Sequence, residues 1–362
     1  MVIPAIFENE SQKKNWEPRR AQILSLFEDY EYGRAPRTEF DKQGCVRMEH
    51  YELTDGLIKE SYGIFFVKGQ KYAGLKFGLT YKAGLRKPMP VIMHVDPFSM
   101  EPVMFALGRC DDILNFEYFP MRFLANRGYA AINVTVGDLS RDDVKTYMHG
   151  IMDLYPAEGS SGWSSISVWA WGMSRVLDFV CSNEMFDSSK VIVAGCSRAG
   201  KTALWCGATD RRFAGVFASV SGCCGAAMHR GKTGERISDI TTVFPHWSCK
   251  EFKKFADKED ELPIDQHMLL SLIAPRPLYI TSASEDSWAD PPKEFESCVR
   301  AGEAYRALGK EGLSSEVFPE VDSPITGGDI AYHLRNGKHG CFMYDWSNVL
   351  PFFERKLKIK CL

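Results

Sequence analysis

What the chain lacks narrows its function before any motif is read. No uninterrupted apolar run approaches the roughly 20 residues that a membrane-spanning helix needs, so no membrane partner is expected. No Cys-x-x-Cys pair occurs, which removes the usual spacing of zinc ligands. The 11 cysteines are scattered and odd in number, unlike the framework of a small disulfide-stapled domain. Basic charge is not in excess: 44 Lys and Arg face 47 Asp and Glu, and a net charge of −3 gives no reason to expect nucleic acid. The opening MVIPAIFENESQKKNW has neither a basic leader nor a long apolar core, so no signal peptide is visible. Together with the cysteines this favours a reducing, cytoplasmic compartment; a secreted chain whose leader had been removed would read the same way. Repeats, low-complexity tracts and Gly/Ser linkers are missing too, so residues 1–362 are expected to form one domain.

What is present is ample core: 45% of the residues are hydrophobic and 12% aromatic. Residues 16–32 place Ile23, Leu24, Leu26, Phe27 and Tyr30 at helical spacing, before Gly33 and Pro36 as a stop. Residues 45–79 alternate like antiparallel hairpins. From there strands and helices alternate. Strands are expected at 91–94, 129–134, 191–194, 213–220 and 276–281, and helices at 115–126, 161–183, 265–272, 294–308 and 346–357. Trp163, Trp169 and Trp171 read as core on the longest of those helices. The order predicts an α/β fold, a doubly wound three-layer sandwich around a mostly parallel sheet with an antiparallel N-terminal start and an insertion at 223–262.

The stretch 191–205, VIVAGCSRAGKTALW, organises the rest. A short apolar strand runs into Gly195-Cys196-Ser197-Arg198-Ala199 and then into a helix, the setting of a nucleophile elbow. Small residues must flank the serine because backbone passes close there; Gly195 and Ala199 supply them. The same letters formally match a phosphate-binding loop, Gly195-x-x-x-x-Gly200-Lys201-Thr202. Such enzymes open their nucleotide domain with that loop and need a strand ending in a magnesium-holding aspartate. Here about half the chain precedes it, and the nearest acid follows its strand only after Ser282, Ala283 and Ser284. A serine hydrolase instead needs an acid and then a histidine after the serine. Asp286, just past a strand, and His339, in Asn336-Gly-Lys-His-Gly340, fit that order.

Five motifs make the pattern specific: GCSRAGKTALW, FPHWSC (244–249), LPIDQHMLLSLIAPRPLYI (262–280), SEDSWADPPKEF (284–295) and HLRNGKH (333–339). Together they resemble the glucuronoyl esterases, carbohydrate esterase family fifteen, over nearly the whole chain. The resemblance implies an α/β-hydrolase, acting through an acyl-enzyme, that cleaves esters between glucuronic acid side chains of xylan and lignin alcohols. No cofactor or metal goes with that chemistry, and a monomer is expected.

By that resemblance Ser197 is the nucleophile, His339 the general base and Arg198 the oxyanion-stabilising arginine. Lys201, Glu235 and Trp288 contact the sugar, and His246 and Trp247 line the pocket. Many members place a glutamate in an Glu-Ser-Gly sequence after the strand following the elbow; here Ser219-Val220-Ser221-Gly222 puts valine there. Valine cannot orient a histidine, so Asp286 is expected to be the acid, with Asp290 and Glu285 as rivals. Some secreted relatives bridge the cysteines corresponding to Cys196 and Cys341, which implies that the two lie close. An acetylxylan esterase on the same scaffold, or a noncatalytic carbohydrate-binding relative, are the competing functions.

Overall fold

Between residues 42 and 82 apolar and polar side chains alternate, and a half-buried sheet is what alternation builds. The computed structural model describes residues 2–98 and 114–360. Helices α1 (Glu10–Lys14) and α2 (Trp16–Tyr30) precede three antiparallel strands, β1 (Lys42–Glu52), β2 (Leu57–Lys68) and β3 (Lys71–Lys82). In β3, Ala73, Leu75, Phe77 and Leu79 fall on one face and are buried. The alternating units follow: β4 (Met89–Asp96), α3 (Met121–Asn126), β5 (Ala130–Thr135), α4 (Ile151–Leu154), α5 (Ser165–Ser182), β6 (Phe186–Cys196), α6 (Arg198–Thr209) and β7 (Gly215–Ser219). After the insertion, with its short helix α7 (Ile237–Val243), come α8 (Gln266–Ser271), β8 (Leu278–Ala283), α9 (Pro291–Ala307), β9 (Ile330–Arg335) and α10 (Met343–Lys356).

All of these strands join one nine-stranded sheet in the order β1-β2-β3-β5-β4-β6-β7-β8-β9. Pairing is antiparallel from β1 to β5 and parallel from β5 to β9. This is the expected α/β-hydrolase arrangement, with helices on both faces. One face carries a core that includes Trp163, Trp169, Leu177, Val193 and Leu204; the other includes Leu124, Phe217, Trp346, Leu350 and Phe353. Helix α5 is apolar around much of its circumference because it is buried along nearly its whole length. Among the described residues no helix is long and apolar enough to cross a membrane.

One expectation needs correction, and one strand was not foreseen. Of the helix expected over 115–126, only Met121–Asn126 forms; turns precede it. Pro120 explains this, since proline disfavours the α conformation in the residue before it. Strand β9 was not anticipated, because His333 and Arg335 interrupt its apolar pattern on a buried face. Asp345 satisfies both, with His333 Nε2 at 2.8 Å and Arg335 Nε at 3.1 Å.

In the parallel half, β6, β8 and β9 end at Cys196, Ala283 and Arg335. Ser197, Asp286 and His339 each lie just beyond one of those carboxyl ends, where doubly wound sheets open their clefts.

Candidate active site

Ser197 sits at φ 59°, ψ −124°, a backbone conformation that costs a non-glycine residue on the order of 1–3 kcal/mol. The turn is held from both sides: Ser197 N–H donates to Ser219 O at 2.8 Å, and Ser197 O accepts from Lys201 N at 3.0 Å. A Cβ on Gly195 would lie 2.1 Å from the Ala199 carbonyl oxygen, so no other residue fits there. The sequence expectation of small residues around the serine thus has a steric cause. Arg198 begins α6, and its backbone N–H, being in the first helical turn, has no intrahelical acceptor.

His339 Nδ1 lies 2.6 Å from Asp286 Oδ2. The carboxylate is buried while the imidazole is 46% exposed, so the pair has a dry end and a wet end. The bond to Nδ1 leaves Nε2 for another partner, and Ser197 and His339 line one cavity of about 420 Å³. The rivals stand elsewhere. Asp290, in the left-handed conformation at φ 61°, accepts from Thr233 N at 2.8 Å and Gly234 N at 3.0 Å through its Oδ2. Glu285 is exposed, and its backbone N–H bonds Gly337 O at 2.9 Å.

Arg198 is fixed by a residue the sequence reading missed. Its guanidinium Nη1 donates to Asp142 Oδ2, and the same buried carboxylate accepts from His246 Nε2 at 2.9 Å and Trp247 Nε1 at 2.7 Å. Burial pushes the Asp142 carboxyl up, but these three donors outweigh it and hold it below the usual carboxylate range. Rings surround the cation: Trp247 at 4.4 Å, Phe98 at 4.9 Å and Phe244 at 5.1 Å from its central carbon. His246 and Trp247 were expected to line the pocket. Both are buried and neither lines the cavity; they pack behind Arg198 instead, with Trp247 stacked on Phe244 at 3.8 Å. Asp142 lies in an irregular loop with no periodicity around it, so only its charge could have drawn notice.

The insertion is fastened to the loop after β8. Asp290 ties down Thr233 and Gly234, and Glu235 N–H donates to Trp288 O at 2.8 Å, which brings Glu235 and Trp288 side by side. Trp288 is 57% exposed at the rim. The Glu235 carboxyl is raised by burial, against the opposing pull of the Lys201 ammonium 3.7 Å away. Lys201 was expected to reach sugar directly. Its Nζ is buried and donates to the carbonyls of Ser221, at 2.7 Å, and Cys223, so it serves as a floor under Glu235. These contacts also leave no open cradle for a nucleotide phosphate at Lys201. Glu294, unremarked in the sequence, fastens the end of β7 from below: its carboxylate accepts from Ser221 Oγ at 3.0 Å, Gly222 N at 2.9 Å and Ser282 Oγ at 2.6 Å.

The cavity beside Ser197 is walled by Phe98, Phe116, Tyr118, Phe119 and Met121. Phe116 and Tyr118 stack at 5.2 Å, and Phe119 stacks on His94 at 4.7 Å. Cys196 and Cys341 are both buried and free.

The strained Ser197, the half-exposed His339 with its buried acid and the caged Arg198 border one cavity. Comparison with known proteins shows the family. The family model described as "Glucuronyl esterase, fungi" matches residues 66–309, more than half of the chain. Carbohydrate esterase MZ0003, from an unknown prokaryotic organism, is 41% identical over 373 residues, covering 95% of this chain and 86% of that protein. The 4-O-methyl-glucuronoyl methylesterase of Schizophyllum commune is 28% identical over 308 residues, covering 82% of this chain and 70% of its own. The solved glucuronoyl esterase from Solibacter usitatus superposes with a TM-score of 0.89 at 28% identity, over 98% of both chains. On this fold and these matches, the chain belongs to the glucuronoyl esterase family of serine carboxylester hydrolases, carbohydrate esterase family fifteen.

Proposed function

We propose that the protein cleaves esters of glucuronic acid with aromatic alcohols through an acyl-enzyme on Ser197. The Asp286–His339 pair opening onto the cavity that holds Ser197 carries this reading. Ser197 Oγ attacks the ester carbonyl carbon as His339 Nε2 takes its proton. The oxyanion forms against the Arg198 guanidinium and backbone N–H, where fixed charge is worth most in the transition state. The tetrahedral adduct expels the alcohol, which leaves with the proton from His339. Water then enters by the same route and frees the glucuronate. Glu235 and Trp288 hold the sugar hydroxyls from the insertion side, with Lys201 setting the charge beneath Glu235.

The alcohol side is assigned to the aromatic cavity. Burying a ring there contributes about 1.5–3 kcal/mol, roughly a ten- to hundredfold gain in kcat/KM for benzyl over methyl glucuronate. A panel of benzyl glucuronate, methyl glucuronate, acetylated xylan and 4-nitrophenyl acetate tests the whole reading. Acetylated xylan as the best substrate would replace it with an acetylxylan esterase, and no turnover of any ester would leave a binding protein.

Asp142 is assigned to holding Arg198 in place. Arg198→Ala is expected to lower kcat by about 10²–10³ with little change in KM. Asp142→Asn should reproduce part of that loss in kcat, again sparing KM. The Asp142→Asn, Arg198→Ala double variant should be no slower than Arg198→Ala alone, since both act through one group. Additive losses, or an Asp142→Asn defect confined to KM, would refute the role.

We further assign the chain to action as a monomer on small-molecule or polysaccharide glucuronate esters, and to a reducing compartment, the latter supported by the free buried thiols of Cys196 and Cys341. Mass-spectrometric mapping of protein alkylated without reductant should find both unlinked; a linked pair in freshly purified protein would place it in an oxidising one.

A further inference from the structure

Beneath the catalytic face lies a cluster that ester chemistry does not use. Cys223, Cys224 and His229 come from the first turn of the insertion, and Glu31 from the end of α2. Cys224 is held at φ 54°, a conformation that L side chains rarely adopt, while its carbonyl accepts the Tyr32 hydroxyl at 2.9 Å. Donor atoms of Glu31, Cys224 and His229 all lie within 4.8 Å of one another, and all three residues are buried.

With Glu31 ionised, protons alone do not satisfy this cluster. Gln266 Nε2 donates to Glu31 Oε1 at 2.8 Å and also lies 2.8 Å from His229 Nε2. If His229 Nε2 accepts that second amide proton, its lone pair is spent while it faces Glu31 Oε2 at 3.3 Å with no hydrogen between them. If Nε2 carries a proton for Glu31, two N–H groups face each other at the Gln266 contact. Turning the Gln266 amide over sets its oxygen against Glu31 Oε1 instead. With Glu31 ionised, each of these arrangements leaves one contact mismatched, and Gln266 Oε1, fully buried, has no donor among the described residues. A cation in place of the proton resolves the Glu31–His229 contact and leaves the Gln266 amide to donate to Glu31 Oε1 alone.

We propose that Glu31 Oε2, the Cys224 thiolate and His229 Nε2 bind one Zn²⁺ as a structural ion. Thiolate, imidazole and carboxylate together suit zinc among divalent ions, and two anionic ligands neutralise its charge. The Glu31–His229 separation of 3.3 Å already matches two ligands on one tetrahedral zinc. With Nε2 on the metal, Nδ1–H is left to donate to Cys223 Sγ at 3.7 Å, the outer contact that fixes a ligating imidazole. A trapped water bonded to the orphan Gln266 Oε1 completes the shell. Because the site is sealed, the ion enters during folding and is not exchanged from the native protein.

The full chain, expressed with zinc in the medium and dialysed against chelator, should retain about one zinc per chain. X-ray absorption should find one sulfur at about 2.3 Å and the remaining neighbours nitrogen or oxygen. Cys224→Ser should cut the retained zinc at least tenfold, whereas Cys298→Ser, at a buried thiol in another part of the core, should retain it. Should Cys224→Ser fail to fold, the single sulfur in the wild-type shell decides. Wild-type protein that is zinc-free both as purified and after refolding with zinc, a shell without sulfur, or a Cys224→Ser protein that keeps its zinc would each overturn the site and leave a His229 imidazolium paired with Glu31.

Discussion

Ser197→Ala is expected to lower kcat by roughly 10⁴–10⁶ while benzyl glucuronate still binds. The size of the effect follows from the mechanism: without the hydroxyl no acyl-enzyme forms, and what remains is slow attack by water in a site that still stabilises an oxyanion. Binding survives because Glu235, Trp288 and the aromatic cavity are untouched. Alanine should also tolerate φ 59° no better than serine does, so the fold is not relieved of strain and Tm should change little. Single-turnover kinetics and a binding titration on the same preparation separate the two quantities. A variant that keeps a tenth of its activity would mean that Ser197 is not the attacking group.

Asp286→Asn is the second large effect, on the order of 10²–10⁴ in kcat. The carboxylate both sets the imidazole's tautomer through Nδ1 and stabilises the imidazolium that forms when Ser197 gives up its proton. An amide in its place can present N–H to Nδ1, which turns the proton to the wrong nitrogen. Asp290→Asn tests the alternative. Its carboxylate holds two backbone N–H groups of the Glu235 loop, so its loss should raise KM for the sugar with a much smaller change in kcat. The reverse ranking of the two variants would move the acid to Asp290, and equal small losses would place it outside this loop.

The elbow was legible in the sequence because its constraints are local. A strand must end, a serine must stand at φ 59°, and a Cβ at Gly195 would meet the Ala199 carbonyl, so the chain spells out its own turn. The order serine, acid, histidine was read from chain order, with a strand expected before Ser197 and before Asp286 but not before His339. Asp142 was not, since nothing within its loop indicates that Arg198, His246 and Trp247 converge on it from distant segments. For the same reason His246 and Trp247 were expected to line the pocket and instead pack behind Arg198. Strand β9 was lost because its buried polar residues are compensated by Asp345, on the helix that follows it, a pairing that strand periodicity does not show.

Val220 directly follows β7, buried and with φ 41°, and β7 lies between the strand of the nucleophile and the strand before the acid. With Asp286, just beyond β8, as the proposed acid, no side chain of β7 takes part in the proton path between Ser197 and His339. The tip of β7 launches the insertion that carries Glu235. Substitutions and length changes there can therefore alter which sugar is accepted while leaving the proton path intact. In a relative whose acid stands at the tip of β7, any change in the insertion's take-off would also disturb the histidine's partner. The present arrangement uncouples the evolution of selectivity from that of turnover.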